Sequence, residues 1–256
     1  MSHPLSIAIT GAGGAGVISV GELLLQAWAG AGGYGLLRKA FGPQIRGGES
    51  AALLKLTVDE VYTAASRYDI VLALDWDNFS RFGDEIRLGS HSLVICEEKG
   101  ELPAEVAALE PTVLRLSMAD AAKEAHEDGR VNMYAVGLLA RLLGRPAASL
   151  VALATHQLAG KPAGYKQAAA ACIEAGAAQS LDCEVQVPAR NAAGTCYLSG
   201  NQAAGLGALE AGIRFVAAYP ITPASDVLEW MAGGLEQLGG QLLQAEDELA
   251  AIIMTI

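Results

Sequence analysis

Four glycines near the start of the chain are spaced so that their backbone could bind phosphate. The stretch "GAGGAG" satisfies the pattern G-x-G-x-x-G at Gly11, Gly13 and Gly16, with Gly14 as an additional glycine. It follows the apolar run "PLSIAIT" and precedes a helix-like stretch. In that strand–turn–helix context, backbone N–H groups at the helix N-terminus bind phosphate. The same glycines would also serve close packing of a helix on a strand, so both roles stay open.

Basic residues stand where a dinucleotide-binding protein would carry an acidic one. Such proteins hold ribose hydroxyls with Asp or Glu about 20 residues after the glycines. Here the only carboxylates before Asp59 are Glu22 and Glu49. The segment "RKAFGPQIRGGES" instead supplies cations, and its glycines would let a ligand approach the backbone: Arg38, Lys39, Arg46, Gly42, Gly47 and Gly48. We predict that this segment binds a phosphate, as on NADP or at the 3′-phosphate of coenzyme A; a solvated basic loop is the alternative.

A proline-rich turn, "AAYPITPASD", follows a predicted strand late in the chain. Thr222 stands at the predicted N-cap of the next helix, with Pro223 at its first position. Asp226 falls in the predicted first turn, where a carboxylate suits the helix dipole. A threonine at the carboxyl edge of a parallel sheet also lies where α/β proteins bind ligands, so Thr222 has a structural and a functional interpretation.

Three acidic residues stand at a predicted strand-to-helix junction in "LLQAEDELAAIIM". Glu246, Asp247 and Glu248 could simply complement the dipole of the helix that follows. The apolar run directly after Glu248 favours a second interpretation. Apolar surroundings disfavour the ionised carboxylate and raise its pKa, which suits a group that donates a proton to a ring nitrogen.

Composition limits the partners and the compartment. The formal charge of −11 argues against DNA, RNA and anionic membranes as partners, because the summed field repels them. The first residues lack the features of a signal peptide, and no run reaches the ~20 apolar residues of a membrane span, so we expect a cytoplasmic protein. The cysteines form no C-x-x-C, so their spacing predicts neither a zinc nor an iron–sulfur site: Cys96, Cys172, Cys183 and Cys196.

These motifs require an α/β fold to position them. Short apolar runs that suit strands, such as "DIVLALD" and "SLVICEE", alternate with helix-like stretches such as "VNMYAVGLLARLLG". The helix after the glycine motif is predicted to face a sheet with Val17, Val20, Leu24 and Trp28. We predict a first domain over 1–180, a linker over 181–197 and a second α/β unit over 198–256. Because the second unit shows no return strands, we expect a longer polypeptide or another chain to complete it.

The order of these motifs resembles a known enzyme family. "GAGGAG…RKAFGPQIRGGES" resembles the gamma domain of 2-oxoacid:ferredoxin oxidoreductases, and "YPITPASD…QAEDELAAI" resembles the beginning of their alpha subunit. The combination resembles the gamma–alpha fusion common in the 2-oxoglutarate enzymes. It implies a gamma-type α/β domain with a mainly parallel sheet, followed by the first part of a thiamine-diphosphate-binding (pyrimidine) α/β domain.

The resemblance implies thiamine-dependent oxidative decarboxylation. A 2-oxoacid, expected to be 2-oxoglutarate, and coenzyme A would give an acyl-CoA, carbon dioxide and electrons for ferredoxin. The reverse carboxylation of a reductive tricarboxylic acid cycle is the same chemistry run backwards. Thiamine diphosphate would be shared with a beta subunit, which is expected to carry the Mg²⁺ and the [4Fe-4S] cluster. The implied assembly is a dimer of heterodimers that includes the remainder of the alpha part.

Site residues also follow from the resemblance. Thr222 would face the substrate and the coenzyme A thiol. Glu248 would polarise N1′ of the aminopyrimidine, with Glu246 as the alternative two residues away. The remaining implied cofactor-binding residues are Tyr219, Pro220 and Ile221 near thiamine, and Gly11, Gly13, Gly14, Gly16, Arg38, Lys39, Arg46, Gly47 and Gly48 near coenzyme A.

Two other classes of function fit parts of the sequence. An NADP-dependent oxidoreductase would use the glycine motif, with Arg38 or Lys39 at the 2′-phosphate. It would leave "YPITP" without a role. A non-catalytic nucleotide-binding assembly module would use its apolar second unit to dock a partner.

Overall fold

The chain divides into two compact units, Met1–Cys196 and Tyr197–Ile256. The computed structural model describes residues 3–42, 48–77, 79–181, 185, 187 and 195–256. Most of the predicted linker lies outside these ranges, so its boundaries stay a prediction. No helix within the described ranges is both long enough and apolar enough to cross a membrane.

A six-stranded sheet forms the centre of the first unit. Its strands are β1 (Leu5–Ala12), β2 (Tyr34–Phe41), β3 (Glu49–Thr57), β4 (Ile70–Ala73), β5 (Leu93–Glu97) and β6 (Thr112–Leu116). They lie in the order β2-β3-β1-β4-β5-β6. The pairs β1–β4, β4–β5 and β5–β6 are parallel, whereas β3 is antiparallel to both β1 and β2. The predicted mainly parallel sheet is therefore confirmed, with an antiparallel hairpin added at one edge.

Helices lie on both faces of this sheet: α1 packs on one face, and a short 3-10 helix at Phe79–Phe82 packs on the other together with Val106 of α2. The helices are α1 (Val17–Gly30), α2 (Ala104–Ala107), α3 (Met118–Ala125), α4 (Val131–Leu142), α5 (Ala147–Gln157) and α6 (Ala163–Ala178). The predicted sheet-facing residues of α1, Val17, Val20, Leu24 and Trp28, are all buried. The indole N–H of Trp28 donates to the carbonyls of Tyr34 and Thr57, at 2.9 and 3.0 Å, which ties the end of α1 to β2 and β3.

Two glycines bring the backbones of α4 and α6 into direct contact. A Cβ atom on Gly137 would lie 2.0 Å from the carbonyl oxygen of Ile173. One on Gly176 would lie 2.1 Å from the carbonyl oxygen of Tyr134. No side chain fits in either place, so the separation of the two helices is set by their backbones.

The second unit is a two-stranded parallel sheet with three helices in the described residues. Its elements are α7 (Gly200–Glu210), β7 (Phe215–Ala218), α8 (Ser225–Gln237), β8 (Gln241–Gln244) and α9 (Glu248–Met254). These elements include the strand and helix predicted around "AAYPITPASD" and the strand-to-helix junction predicted in "LLQAEDELAAIIM". A capping box between Ser199 and Gln202 begins α7. The core is small and centres on Leu209, Met231 and Leu235.

Candidate functional site

The glycine turn joins the end of β1 to the start of α1. Gly14 and Gly16 have φ angles of 93° and 83°, in the left-handed region that favours glycine. A Cβ atom on Gly16 would lie 2.1 Å from the side-chain nitrogen of Asn132, in the first turn of α4. Glycine at this position therefore lets the N-terminal end of α4 approach the turn.

Two contacts from other strands fix this turn. The backbone N–H of Ala12 donates to Oδ2 of Asp75 at 2.7 Å, and the N–H of Gly13 donates to the carbonyl of Gly48. Asp75, just beyond β4, was not among the predicted site residues. Its position at the end of the strand-like run "DIVLALD" is the signal that could have identified it, because ligand-binding loops follow the carboxyl ends of parallel strands.

A cavity of about 950 Å³ opens beside the turn. The turn borders it with Gly14, Ala15 and Gly16, and the first turns of α1, α4 and α6 border it as well. None of these three helices has a side-chain N-cap hydrogen bond or an acidic residue in its first turn. Helix N-termini carry partial positive charge and unpaired N–H groups, so three of them around one cavity favour an anionic ligand.

Charged and polar side chains complete the cavity. Arg130 and Lys161 add two cations to its lining, and Asp128 adds a carboxylate. The Asn132 side chain lines the same cavity and is 9% exposed. Its amide has no hydrogen-bond partner in the part of the chain that the structure describes. An amide without a protein partner at the cavity wall is available to a polar ligand or to water, and the volume lies in the range of small-molecule sites.

The cations that the sequence predicted for phosphate binding lie elsewhere. Arg38 and Lys39 are neighbours within β2, so their side chains point to opposite faces of the sheet. Arg38 forms an ion pair with Glu85 and Lys39 with Glu22, each at 2.5 Å. Neither lines the cavity. Both lie within β2, which continues to Phe41.

The remaining residues of the basic segment are partly described. Arg46 and Gly47 lie outside the described residues, so their predicted roles stay predictions. Gly48 is buried and binds Gly13, as noted above. Glu49 begins β3 with a side chain that is 2% exposed, and both its oxygens accept hydrogen bonds from Arg81, at 2.9 and 3.0 Å. These bonds hold the pKa of Glu49 below its ordinary value.

The cysteines of the described residues are dispersed. Burial raises the pKa of the Cys96 and Cys172 thiols, which makes both poor thiolates. Cys196 is exposed, and Cys183 lies outside the described residues. Within the described ranges, no group of three or more His, Cys, Asp or Glu residues is arranged to hold a metal ion.

The second candidate site lies at the carboxyl edge of the two-stranded sheet. Because β7 and β8 are parallel neighbours, the segment after β7 and the segment after β8 leave the sheet at the same edge. The first segment contains Tyr219, Pro220, Ile221 and Thr222, and the second contains Glu246, Asp247 and Glu248. The sheet thus places the predicted thiamine-site residues at one edge.

In the first of these two segments, the predicted helix start was wrong. Thr222 is not an N-cap, because α8 begins at Ser225 with Ala224 at the N-cap position. The Ser225 N–H instead donates to the carbonyl of Ile221 at 3.1 Å. The Thr222–Pro223 peptide bond is cis. The prediction that Asp226 lies in the first turn was right.

In the second segment, Asp247 is the N-cap of α9 and accepts a hydrogen bond from the Ala250 N–H at 2.7 Å. Glu248 is the first helical residue, and both Glu246 and Glu248 are exposed. The apolar residues that follow, Leu249 and Ile252, are exposed as well. Within the described residues, Glu248 therefore lacks the apolar surroundings that were predicted for it.

Comparisons with known proteins match both units. The family model described as pyruvate ferredoxin/flavodoxin oxidoreductase matches residues 6–179. The model described as its thiamine-diphosphate-binding part matches residues 206–256. Among curated relatives, the 2-oxoglutarate synthase subunit KorA of Methanocaldococcus jannaschii is 47% identical over 60 residues, which is 23% of this chain and 16% of the relative. The KorA subunit of Archaeoglobus fulgidus is 48% identical over 59 residues, 23% of this chain and 17% of the relative.

Solved structures match nearly the whole chain or about two thirds of it. The 2-oxoglutarate:ferredoxin oxidoreductase of Magnetococcus marinus, solved with 2-oxoglutarate, coenzyme A and succinyl-CoA bound, is similar with a TM-score of 0.80 and 27% identity. The match covers 99% of this chain and 45% of that chain, so this chain spans less than half of its relative. The pyruvate oxidoreductase subunit PORC of Thermotoga maritima has a TM-score of 0.53 at 17% identity, covering 68% of this chain and 94% of its own. At that identity the likeness shows the fold alone.

Proposed function

Because this chain belongs to the pyruvate ferredoxin/flavodoxin oxidoreductase family, we propose that it is the gamma–alpha part of a thiamine-diphosphate-dependent 2-oxoacid:ferredoxin oxidoreductase. The proposed reaction converts a 2-oxoacid and coenzyme A into an acyl-CoA and carbon dioxide, with electrons passed to ferredoxin, or runs in reverse. The KorA relatives and the Magnetococcus structure favour 2-oxoglutarate as the 2-oxoacid.

The cavity beside the glycine turn is the observation that carries this proposal. Coenzyme A is a polyanion with three phosphoryl groups, and the cavity combines three helix N-termini with Lys161 and the backbone of Gly14 and Gly16. Each of these features favours a phosphate. The Asn132 amide would supply a polar contact to the same ligand. Arg38 and Lys39 do not line the cavity, and the predicted contact of Arg46, which lies outside the described residues, stays a prediction.

The edge of the two-stranded sheet would form one side of the thiamine site. A carboxylate at the start of a helix and a hydroxyl on the neighbouring segment fit an aminopyrimidine and a small polar substrate. When bound, thiamine diphosphate supplies the electron sink for decarboxylation. Glu248 would hold a proton at N1′ of the aminopyrimidine, and Thr222 would contact the substrate and the coenzyme A thiol.

The proposed partners follow from the family. A beta subunit would complete the thiamine site and carry Mg²⁺ and a [4Fe-4S] cluster, and ferredoxin would receive the electrons. We propose a cytoplasmic dimer of heterodimers. The naming of the KorA relatives as subunits supports an assembly of several chains.

The geometry does not favour the NADP-dependent alternative. That alternative requires Arg38 or Lys39 at a 2′-phosphate beside the glycine turn. Both side chains are ion-paired on β2 and are absent from the cavity lining.

Calorimetric titration of the purified chain with coenzyme A tests the cavity assignment. We expect saturable binding that weakens as salt rises, because phosphate pairs are screened. Lys161→Ala should weaken binding, whereas Lys99→Ala, an exposed lysine away from the cavity, should not. Arg38→Ala tests the rival location: loss of binding there, with Lys161→Ala unaffected, would move the site to β2.

The reaction is tested in the complex that co-purifies with the full chain. We expect 2-oxoglutarate to reduce ferredoxin only when coenzyme A is present. Coenzyme-A-independent reduction of NADP by the same complex would overturn the proposed function.

A further inference from the structure

Arg130 and Tyr165 form a contact across the cavity lining. The guanidinium carbon of Arg130 lies 5.1 Å from the centroid of the Tyr165 ring. Its Nη2 donates to the Tyr165 hydroxyl at 3.4 Å. Arg130 precedes α4 at the N-cap position and Tyr165 lies in the first turn of α6, so the pair joins two of the helix ends that border the cavity.

The partners of Arg130 differ from those of the cations on β2. Arg38 and Lys39 each bind a carboxylate. No carboxylate of the described residues forms an ion pair with Arg130. The charge of Arg130 is therefore available to an anion in the cavity. Its guanidinium lies against the ring of Tyr165, which is 45% exposed.

A guanidinium beside an exposed aromatic ring suits a nucleotide. Arginine binds phosphate through its planar array of donors. Aromatic side chains stack on bases, because every base has a π-face. In coenzyme A the adenine and the 3′-phosphate are attached to the same ribose. The adenosine end of the molecule can therefore contact two neighbouring side chains, such as Arg130 and Tyr165, at the same time.

We propose that Arg130 and Tyr165 recognise the adenosine 3′-phosphate end of coenzyme A, with the 3′-phosphate on Arg130 and the adenine on Tyr165. This inference rests on the proposed function, because it assumes that coenzyme A occupies the cavity. The diphosphate then lies toward the glycine turn, where the N-terminus of α1 begins. Specificity for coenzyme A over dephospho-coenzyme A resides in Arg130.

Affinities of the purified full chain for four compounds test the ligand side of the proposal. They are coenzyme A, dephospho-coenzyme A, adenosine 3′,5′-bisphosphate and adenosine 2′,5′-bisphosphate, measured by calorimetry. We expect the 3′,5′-bisphosphate to compete with coenzyme A, and dephospho-coenzyme A to bind about 10-fold or more weakly, as the loss of a charge-assisted contact requires. Tighter binding of the 2′,5′-bisphosphate would indicate an NADP-type ligand and overturn the proposal.

Variants test the protein side. Tyr165→Ala should weaken coenzyme A roughly 5- to 150-fold, the range for loss of one stacked base, and Tyr165→Phe should restore near-normal affinity. Arg130→Ala should abolish the preference for coenzyme A over dephospho-coenzyme A, and Arg130→Lys should retain part of it. Tyr62→Ala is the matched control, since Tyr62 is 83% exposed and does not line the cavity.

The outcomes separate this inference from the proposed function. If the wild-type chain binds no coenzyme A, the cavity assignment fails and the inference fails with it. If coenzyme A binds normally to both alanine variants, or if Arg130→Ala keeps the preference for the 3′-phosphate, only the inference fails. Circular dichroism establishes that each variant is folded, and the ligand comparison in the wild-type chain does not depend on any variant.

Discussion

The Glu49–Arg81 pair makes the stability of the first unit depend on pH. Because hydrogen bonds from Arg81 lower the pKa of Glu49 from its ordinary 4.5, the pair stabilises the fold above that value. The stabilisation is lost as pH falls through the lowered pKa. We predict that Glu49→Gln unfolds at a lower temperature than wild type at pH 7, and that the difference shrinks as pH falls below about 4.5. Thermal unfolding followed at several pH values measures this.

The control for this prediction is Glu124→Gln, which removes an exposed carboxylate of α3. It should leave the unfolding temperature close to that of wild type at every pH. A difference between Glu49→Gln and wild type that stays constant into the acid range would show that the loss comes from packing and not from charge.

Glu248 and Glu246 differ in their expected effect on activity. In the assembled enzyme, Glu248→Gln keeps the shape of the side chain but cannot exchange a proton with N1′. We therefore predict a ~10²–10⁴-fold lower rate of carbon dioxide release, the usual size of a general acid–base contribution. Glu246→Gln should cost much less, since a dipole complement contributes roughly 0.3–1 kcal/mol. Proton exchange at C2 of bound thiamine, measured by NMR, separates the two, and a collapse in the Glu246 variant alone would reverse the assignment.

The sequence indicated which residues could belong to a site more readily than it indicated which residues they contact. The glycines of the turn were identifiable because their spacing is local. The ion pairs of Arg38 and Lys39 were not identifiable, because Glu85 and Glu22 reach them only once the sheet and α1 have formed. Arg130, Lys161 and Asn132 gave no local signal, since the helix ends that bring them to the glycine turn are far from it in sequence.

Two glycines of α6 should respond in opposite directions to alanine. At Gly164 a Cβ atom would meet open space, so Gly164→Ala should stabilise the chain by about 0.5–1 kcal/mol through higher helix propensity. At Gly176 the added atom would collide with the Tyr134 carbonyl, so Gly176→Ala should destabilise it by roughly 1–3 kcal/mol. Urea unfolding measures both. Equal stabilisation by the two substitutions would contradict the close contact of α4 and α6.

The helices and strands could be predicted from the sequence better than the pairing of the strands. Alternating apolar runs located most strands, but hydrophobic periodicity does not report strand direction, so the antiparallel placement of β3 was not foreseen. The start of α8 was placed too early because proline and threonine favour helix starts in general. In the structure α8 begins only at Ser225, whose N–H donates to the carbonyl of Ile221.

The two units differ in how much apolar surface they leave exposed. In the first unit the sheet is covered on both faces, whereas in the second unit α9 exposes Ile252 and Ile253 at 59% and 63%. Contiguous apolar exposure favours association and dye binding. We predict that the double variant Ile252→Glu and Ile253→Glu lowers binding of a hydrophobic fluorescent dye to the full chain. Tyr62→Gln, which removes one exposed ring from the first unit, should change it little.

The central position of β1 has a consequence for synthesis on the ribosome. The ribosome synthesises the glycine turn early. The residues that contact this turn or line the cavity beside it emerge later, in the order Asp75, Asn132 and Tyr165. Contacts so distant in sequence form slowly. Until α6 has left the ribosome, the nascent chain therefore contains the apolar strand β1 and an incomplete ligand site. We expect arrested nascent chains to retain coenzyme A only once α6 has emerged, and until then β1 is a segment for chaperones to shield.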